Sequence, residues 1–324
     1  MTSMPFWEAR AKAFAREMKE DPSVLIIGGY LNLPFNPPDG LAEQFPGRVL
    51  FTPISELAMG GIGVGAAMAG LRPIVTFSTA SFMLYAWPQV VIEAPNVRYL
   101  SYGRISCPVV FHIMAGSRGD GGVQHEHTPQ AMVMNVPGIK IFAPATPADV
   151  DGLVTAAIKD PDPVLFVDHI LLGDVEGEVP NVPDSTLPRA DVLRSGKDVG
   201  IIAYSLMAHR ALEAAHHLAG AGIDAGVLNL RTLVPMPISD VLEFARGLRF
   251  VVIVDESRRA GSPASYLAST IAESLPDTRI ALVCTLDAPF PFARAQRDFL
   301  LPTAEKIARA SKNLMQLRAG ARSD

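Results

Sequence analysis

Phe51-Thr52-Pro53-Ile54-Ser55-Glu56 runs directly into Leu57-Ala58-Met59-Gly60-Gly61-Ile62-Gly63-Val64-Gly65-Ala66-Ala67-Met68-Ala69-Gly70. Val49-Leu50-Phe51 reads as a short strand that stops before Pro53, and residues 57–70 read as a helix of small residues. Glu56 then falls in the first helical turn, where the helix dipole favours a carboxylate. That placement explains the residue without any function. The glycines are harder to explain, because each costs about 1 kcal/mol against alanine in a helix. Gly60, Gly61, Gly63 and Gly65 together predict a helix against which something large packs closely.

Outward from this segment, apolar runs at 24–27, 73–77, 109–113, 139–142 and 164–167 alternate with helical stretches at 82–94 and 147–159. The alternation predicts an α/β fold with a mostly parallel sheet. It breaks at 173–194, where Pro180, Pro183 and Pro188 stand among Asp, Glu, Gly and Ser, which predicts an interdomain linker. The pattern resumes at 199–204 and continues through 225–230, 250–255, 265–274 and 280–285 as a smaller α/β domain. The expected division is 1–185 and 186–324.

With 49% hydrophobic residues, the 324-residue chain can fill two cores of ordinary size. A net charge of −5, without a block of like charges, argues against nucleic acid or an anionic membrane as the main partner. Small molecules and other subunits remain. Cys107 and Cys284 each sit in an apolar run, so a disulfide framework or a Cys-rich metal site is not expected, and a reducing cytoplasm fits. Residues 1–20 read as an amphipathic helix without a signal core, and no uncharged apolar run is long enough to span a bilayer.

Most motifs that suggest chemistry lose their force on spacing. Gly61-Ile62-Gly63-Val64-Gly65-Ala66 matches the dinucleotide fingerprint, but the glycines do not directly follow a strand and no acid lies between Glu56 and Glu93. Gly119-Asp120-Gly121 resembles the opening of the diphosphate-and-magnesium motif of thiamine enzymes, yet Asn135 follows too soon to close it. The glycine-rich stretch 116–122 still predicts a ligand-facing loop. His125-Glu126-His127 comes directly after it and leaves three readings open: a metal pair, structural histidines, or a catalytic imidazole.

A string of collinear motifs carries a family resemblance over nearly the whole chain. It includes 51–56, the glycine helix, Gly70-Leu71-Arg72-Pro73, Phe82, Gln124-His125, Pro137-Gly138-Ile139-Lys140, Asn229-Leu230-Arg231-Thr232-Leu233 and Asp287-Ala288-Pro289-Phe290-Pro291-Phe292-Ala293. Together these resemble the β subunit of the thiamine-diphosphate-dependent decarboxylating component of 2-oxoacid dehydrogenases. The resemblance implies a transketolase-like pyrimidine-binding domain followed by a transketolase C-terminal-like domain.

It also implies roles for residues. Glu56 would hydrogen-bond N1′ of the cofactor's aminopyrimidine, Phe82 would pack on that ring, and Ile54 and Leu57 would line it. His125 would serve acyl transfer to a lipoyl group. Diphosphate and Mg²⁺ would be held mainly by an α subunit in an α₂β₂ assembly, with a lipoylated acyltransferase as a further partner and a 2-oxoacid as substrate. A K⁺ ion would lie among main-chain carbonyls at Val109, Ala157, Ile158, Asp160 and Asp162.

Departures from the family pattern gather on the substrate side. His125-Glu126-His127 stands for His-Ser-Gln, Ser81-Phe82 for Asp-Phe, Pro88-Gln89 for Asp-Gln, and His112 for arginine, while Tyr85 and Trp87 add bulk. Glu126, His127, His112 and Tyr85 are therefore candidates for substrate contact. Two alternatives follow: transketolase-like transfer of an acyl or ketol unit to a carbonyl acceptor, and a noncatalytic scaffold subunit.

Overall fold

The computed structural model describes residues 1–29, 31, 40–118 and 121–316, which form two compact units, Met1–Leu187 and Pro188–Asp324. The first unit contains strands β1 (Thr2–Pro5), β2 (Val24–Gly28), β3 (Val49–Phe51), β4 (Arg72–Thr79), β5 (Val110–Ala115), β6 (Lys140–Phe142), β7 (Val164–His169) and β8 (Glu176–Val179). Six of them line up as β6-β7-β5-β4-β2-β3, each parallel to its neighbour. Val24–Gly28 and Val110–Ala115 are buried along their whole length, which explains their unbroken apolar runs.

Helices lie on this sheet at positions that the sequence makes intelligible. Glu56–Met68 packs on β4 so tightly that a Cβ on Gly63 would stand 2.3 Å from Val75 Cγ2. Pro147–Lys159 starts in a capping box, with the Thr146 side chain accepting from the Asp149 amide and the Asp149 carboxylate accepting from the Thr146 amide. Where 82–94 predicts one helix, the chain forms a short helix at Ala80–Met83, a tight turn at Leu84–Ala86, a widened π turn at Gln89–Glu93 and a helix at Ala94–Leu100. Pro88 and Pro95 each lack an amide hydrogen, so a regular ladder cannot pass through them.

The second unit contains β9 (Asp191–Arg194), β10 (Val199–Ala203), β11 (Ala225–Asn229), β12 (Thr232–Val234), β13 (Phe250–Arg258) and β14 (Arg279–Thr285). Its sheet runs β14-β13-β10-β11-β9, parallel except for β9. Buried Asp255 braces it, accepting hydrogen bonds from the Tyr204 hydroxyl at 2.7 Å and from the amides of Ser257 and Ala264 at 2.8 and 3.1 Å. Burial pushes that carboxyl above its ordinary range despite these donors. The stretch 173–194, expected as a plain linker, is more structured than that. Its start forms β8, which pairs antiparallel with β1, and its end forms β9, which pairs with β11.

A polar cluster lies inside the first unit, beneath the helix Phe6–Glu20. Arg10 donates to Asp168 at 2.6 Å, the His112 Nε2 lies 2.9 Å from the same Asp168 oxygen, and the His112 Nδ1 lies 3.0 Å from the Thr76 hydroxyl. This corrects the reading of His112 as a substrate contact. The ring is fully buried, both its nitrogens are engaged, and Phe14 and Phe166 pack around it. Burial would by itself raise the Asp168 carboxyl, but the Arg10 charge and the His112 contact outweigh it and hold the group low. Burial depresses the His112 imidazole against the pull of Asp168.

The depressed imidazole gives a signed prediction. Below about 6.5, the ordinary histidine value, the unfolded chain takes up a proton that buried His112 refuses. Stability should therefore fall as the pH drops through that value, and His112→Gln should flatten this part of a Tm-versus-pH curve. An unchanged slope in the variant would place the titration elsewhere.

Candidate active site

In a parallel sheet the carboxyl ends of the strands share one edge, and the loops leaving that edge build the site. β3 ends at Phe51 and delivers Glu56 as the first residue of its helix. β4 ends at Thr79 and delivers Phe82. β5 ends at Ala115 and leads through the glycine-rich loop to His125. β4 carries a register shift between Thr76 and Thr79, with Ser78 at φ 64°, and this bulge turns the chain into the Phe82 helix.

Phe82 and His125 meet edge to face, with ring centroids 5.4 Å apart. One residue before Phe82 and two after His125, the Ser81 hydroxyl and His127 Nδ1 are 2.7 Å apart. Two departures from the family pattern are thus partners of each other, a pairing that sequence spacing did not reveal. Glu56 stands at the same edge, on the far side of β2, so about two strand spacings, roughly 10 Å, separate the β3 and β4 ends. Its side of the edge is apolar and open: Glu56 is half-buried, while Phe51, Ile54 and Leu57 are 59%, 63% and 52% exposed. Ile54 is backed by Gly29, where a Cβ would stand 3.2 Å from the Ile54 Cα.

Two more substrate-side candidates take different places. Tyr85 is 71% exposed on the turn after Phe82. Glu126 is 1% exposed, and its carboxylate accepts from the Ser117 hydroxyl at 2.7 Å and the Gly121 amide at 3.1 Å. It therefore holds the loop together and does not face a substrate. Of the resembling Gly119-Asp120-Gly121 motif, Gly119 and Asp120 lie outside the described residues.

The donor set separates the two halves of a thiamine cofactor. A carboxylate among exposed apolar side chains, with a half-buried aromatic ring at the β4 end of the same edge, suits an aminopyrimidine ring and its N1′. For a diphosphate, Glu56 brings the wrong sign of charge to the β3 end of this edge. The carbonyls expected to hold K⁺ fit poorly too. Arg72 donates to the Ile158 carbonyl at 2.6 Å and to that of Asp160 at 3.3 Å, and the Val109 carbonyl accepts the Val164 amide at 2.9 Å. Arg98 bonds the Asp162 carboxylate. A guanidinium thus stands where the cation was expected. Among the described residues, no group of three or more His, Cys, Asp or Glu could hold a metal ion.

Comparison with known proteins agrees with this architecture. Residues 2–170 match the family model of the transketolase pyrimidine binding domain, and residues 189–307 match that of the transketolase C-terminal domain. The chain is 36% identical to the 2-oxoisovalerate dehydrogenase subunit beta of Bacillus subtilis, over 98% of this chain and 100% of that protein. It is 35% identical to the acetoin:2,6-dichlorophenolindophenol oxidoreductase subunit beta of Cupriavidus necator, over 94% of this chain and 95% of the relative. With the mitochondrial pyruvate dehydrogenase E1 component subunit beta-1 of Arabidopsis thaliana it shares 38% identity, over 94% and 87%.

Among solved structures, a split-gene transketolase described as an inactive beta4 tetramer superposes with a TM-score of 0.81 at 25% identity, covering 97% of this chain and 99% of that one. Matches to both domain models and, over most of their length, to dehydrogenase β subunits place this chain in the thiamine-diphosphate-dependent, transketolase-like family of E1 β subunits.

Proposed function

We propose that this chain is the β subunit of a heteromeric 2-oxoacid dehydrogenase, which decarboxylates a 2-oxoacid and passes the acyl unit to a lipoyl carrier. The observation that carries the reading is the gathering of Glu56, Phe82 and His125 at one sheet edge, where the residues suit the pyrimidine half of the cofactor and not its diphosphate. Bound thiamine diphosphate would supply the carbon nucleophile and the electron sink for decarboxylation. Glu56 would hold the N1′ proton, and Phe82, Ile54 and Leu57 would orient the ring and exclude water. His125 would exchange a proton with the acyl group or its thiol acceptor.

An α subunit would then complete the site by holding diphosphate and Mg²⁺ and by covering the apolar residues around Glu56. A lipoylated acyltransferase would take the product. The competing idea of a carbonyl acceptor drew on Glu126 and His127 as extra acid and base groups, and Glu126 is committed to the loop. Cys107 and Cys284 are both free thiols, which fits a cytoplasmic setting. No described helix is long and apolar enough to cross a membrane.

In the assembled enzyme, Glu56→Gln should slow exchange of the thiazolium C2 proton by roughly a hundredfold or more, the scale of a lost general acid–base group. Normal exchange in that variant would remove Glu56 from the mechanism. Reductive acylation of a lipoyl domain should be seen with wild type, and carboligation to an aldehyde in its place would favour the competing acceptor. For the cation, the Tm in potassium should match that in sodium at equal ionic strength. A potassium-specific rise would mean that the carbonyls around Arg72 do form an ion cage.

A further inference from the structure

Among the described residues from Gly116 to His127, hydrogen bonds tie the two ends of the segment together. At the outer end, the Gly116 amide donates to the His127 carbonyl at 3.1 Å. Inside it, the Glu126 carboxylate spans the loop, with one oxygen accepting the Ser117 hydroxyl at 2.7 Å and the other accepting the Gly121 amide at 3.1 Å. Gly121 turns this clamp toward its neighbour. Its carbonyl lies 3.2 Å from the His125 Nδ1, within reach of a proton on that nitrogen. There is no room for a side chain at Gly121, because a Cβ would stand 2.8 Å from the His125 Cβ and 3.1 Å from the Glu126 Cγ. The segment then turns at Gly122, with φ at 55°, into the short helix that carries His125.

We propose that Glu126 is a positioning residue for His125: by fixing the backbone at Gly121, it holds the imidazole as the Nδ1–H tautomer and leaves a bare Nε2 for proton transfer. The logic is that of an acid that orients a histidine, with one tightly packed glycine residue interposed. A carbonyl can only accept, so an imidazole nitrogen bonded to it must carry the proton. Glu126 fixes the Gly121 amide, and the close packing of Gly121 against His125 and Glu126 restricts rotation about its Cα, so the carbonyl on the other side of that Cα is held as well and the ring cannot turn over without losing its bond. The edge-to-face contact with Phe82 steadies the other side of the ring. A carboxylate buried at 1% exposure persists here because both its oxygens are satisfied by donors from the loop it closes. This assignment deepens the functional reading above, from which it takes the role of His125.

The tautomer can be read without substrate or partner. In the ¹⁵N-histidine-labelled full-length chain, with His125 identified by the loss of its signals in His125→Gln, wild type should show a pyrrole-type Nδ1 and a pyridine-type Nε2. Glu126→Ala should cost the pyridine-type Nε2 signal, because an untethered imidazole prefers its proton on Nε2. Ser117→Ala, which removes one tie and keeps the carboxylate, should show the same change in part. It decides the matter alone if the Glu126 variant fails to fold.

A wild-type His125 protonated on Nε2, or two folded variants with the wild-type pattern, would overturn the proposal. In the assembled enzyme Glu126→Ala should slow acyl transfer on the order of a hundredfold, as for a misplaced reacting group. Exchange at the cofactor should stay unchanged. If the tautomer responds as expected but wild type acylates no lipoyl carrier, the functional reading fails and the positioning role stands.

Discussion

The contact between Gly63 and Val75 is the constraint on which the site rests. With only 2.3 Å between a Gly63 Cβ and the Val75 side chain, any larger residue would lift the Glu56–Met68 helix off the sheet. The helix begins at Glu56, so the carboxylate is placed by the packing of glycines downstream of it. Gly61 and Gly65, on the same helix, meet no neighbouring atoms within 4 Å. The sequence spends helix propensity at both kinds of position. One kind serves the core of this chain, and the other leaves a smooth face beside exposed Ile62.

From that anchor the carboxyl edge of the sheet acquires two functional ends. Glu56 and its exposed apolar neighbours occupy the β3 end, and Phe82, His125, Ser81 and His127 occupy the β4 and β5 ends. The polar cluster of Arg10, Asp168, His112 and Thr76 lies in the interior beneath the first helix and fastens that helix to the sheet. Charge in this unit thus has two uses. Buried ion pairs fix the frame, whereas Glu56 at the edge is only half-buried and is proposed to serve a cofactor ring.

Much of this was legible in the sequence. The alternation of apolar runs and helices gave the α/β class, and the glycine helix with its leading glutamate was visible as a closely packed element, because those patterns follow from local geometry. Pairings between distant residues were not legible. Nothing in the spacing of Ser81 and His127, or of Arg10 and Asp168, announces a contact across 46 or 158 positions. His112 and Glu126 were misplaced for the same reason: a polar residue reads as a candidate for chemistry until its burial and partners are known. For Glu126, the nearby glycine-rich loop with Ser117 was the available signal. Pro88 and Pro95 were visible, but their combined effect on the 82–94 helix depends on how the ladder around them repairs itself.

That this chain supplies half of a cofactor site is most directly tested by calorimetric titration of thiamine diphosphate with Mg²⁺, first into the isolated chain and then into the chain assembled with its α partner. The account predicts binding only to the assembly, because Glu56 and Phe82 would serve the pyrimidine side and the α subunit the diphosphate side. Tight, stoichiometric binding to the isolated chain would contradict it.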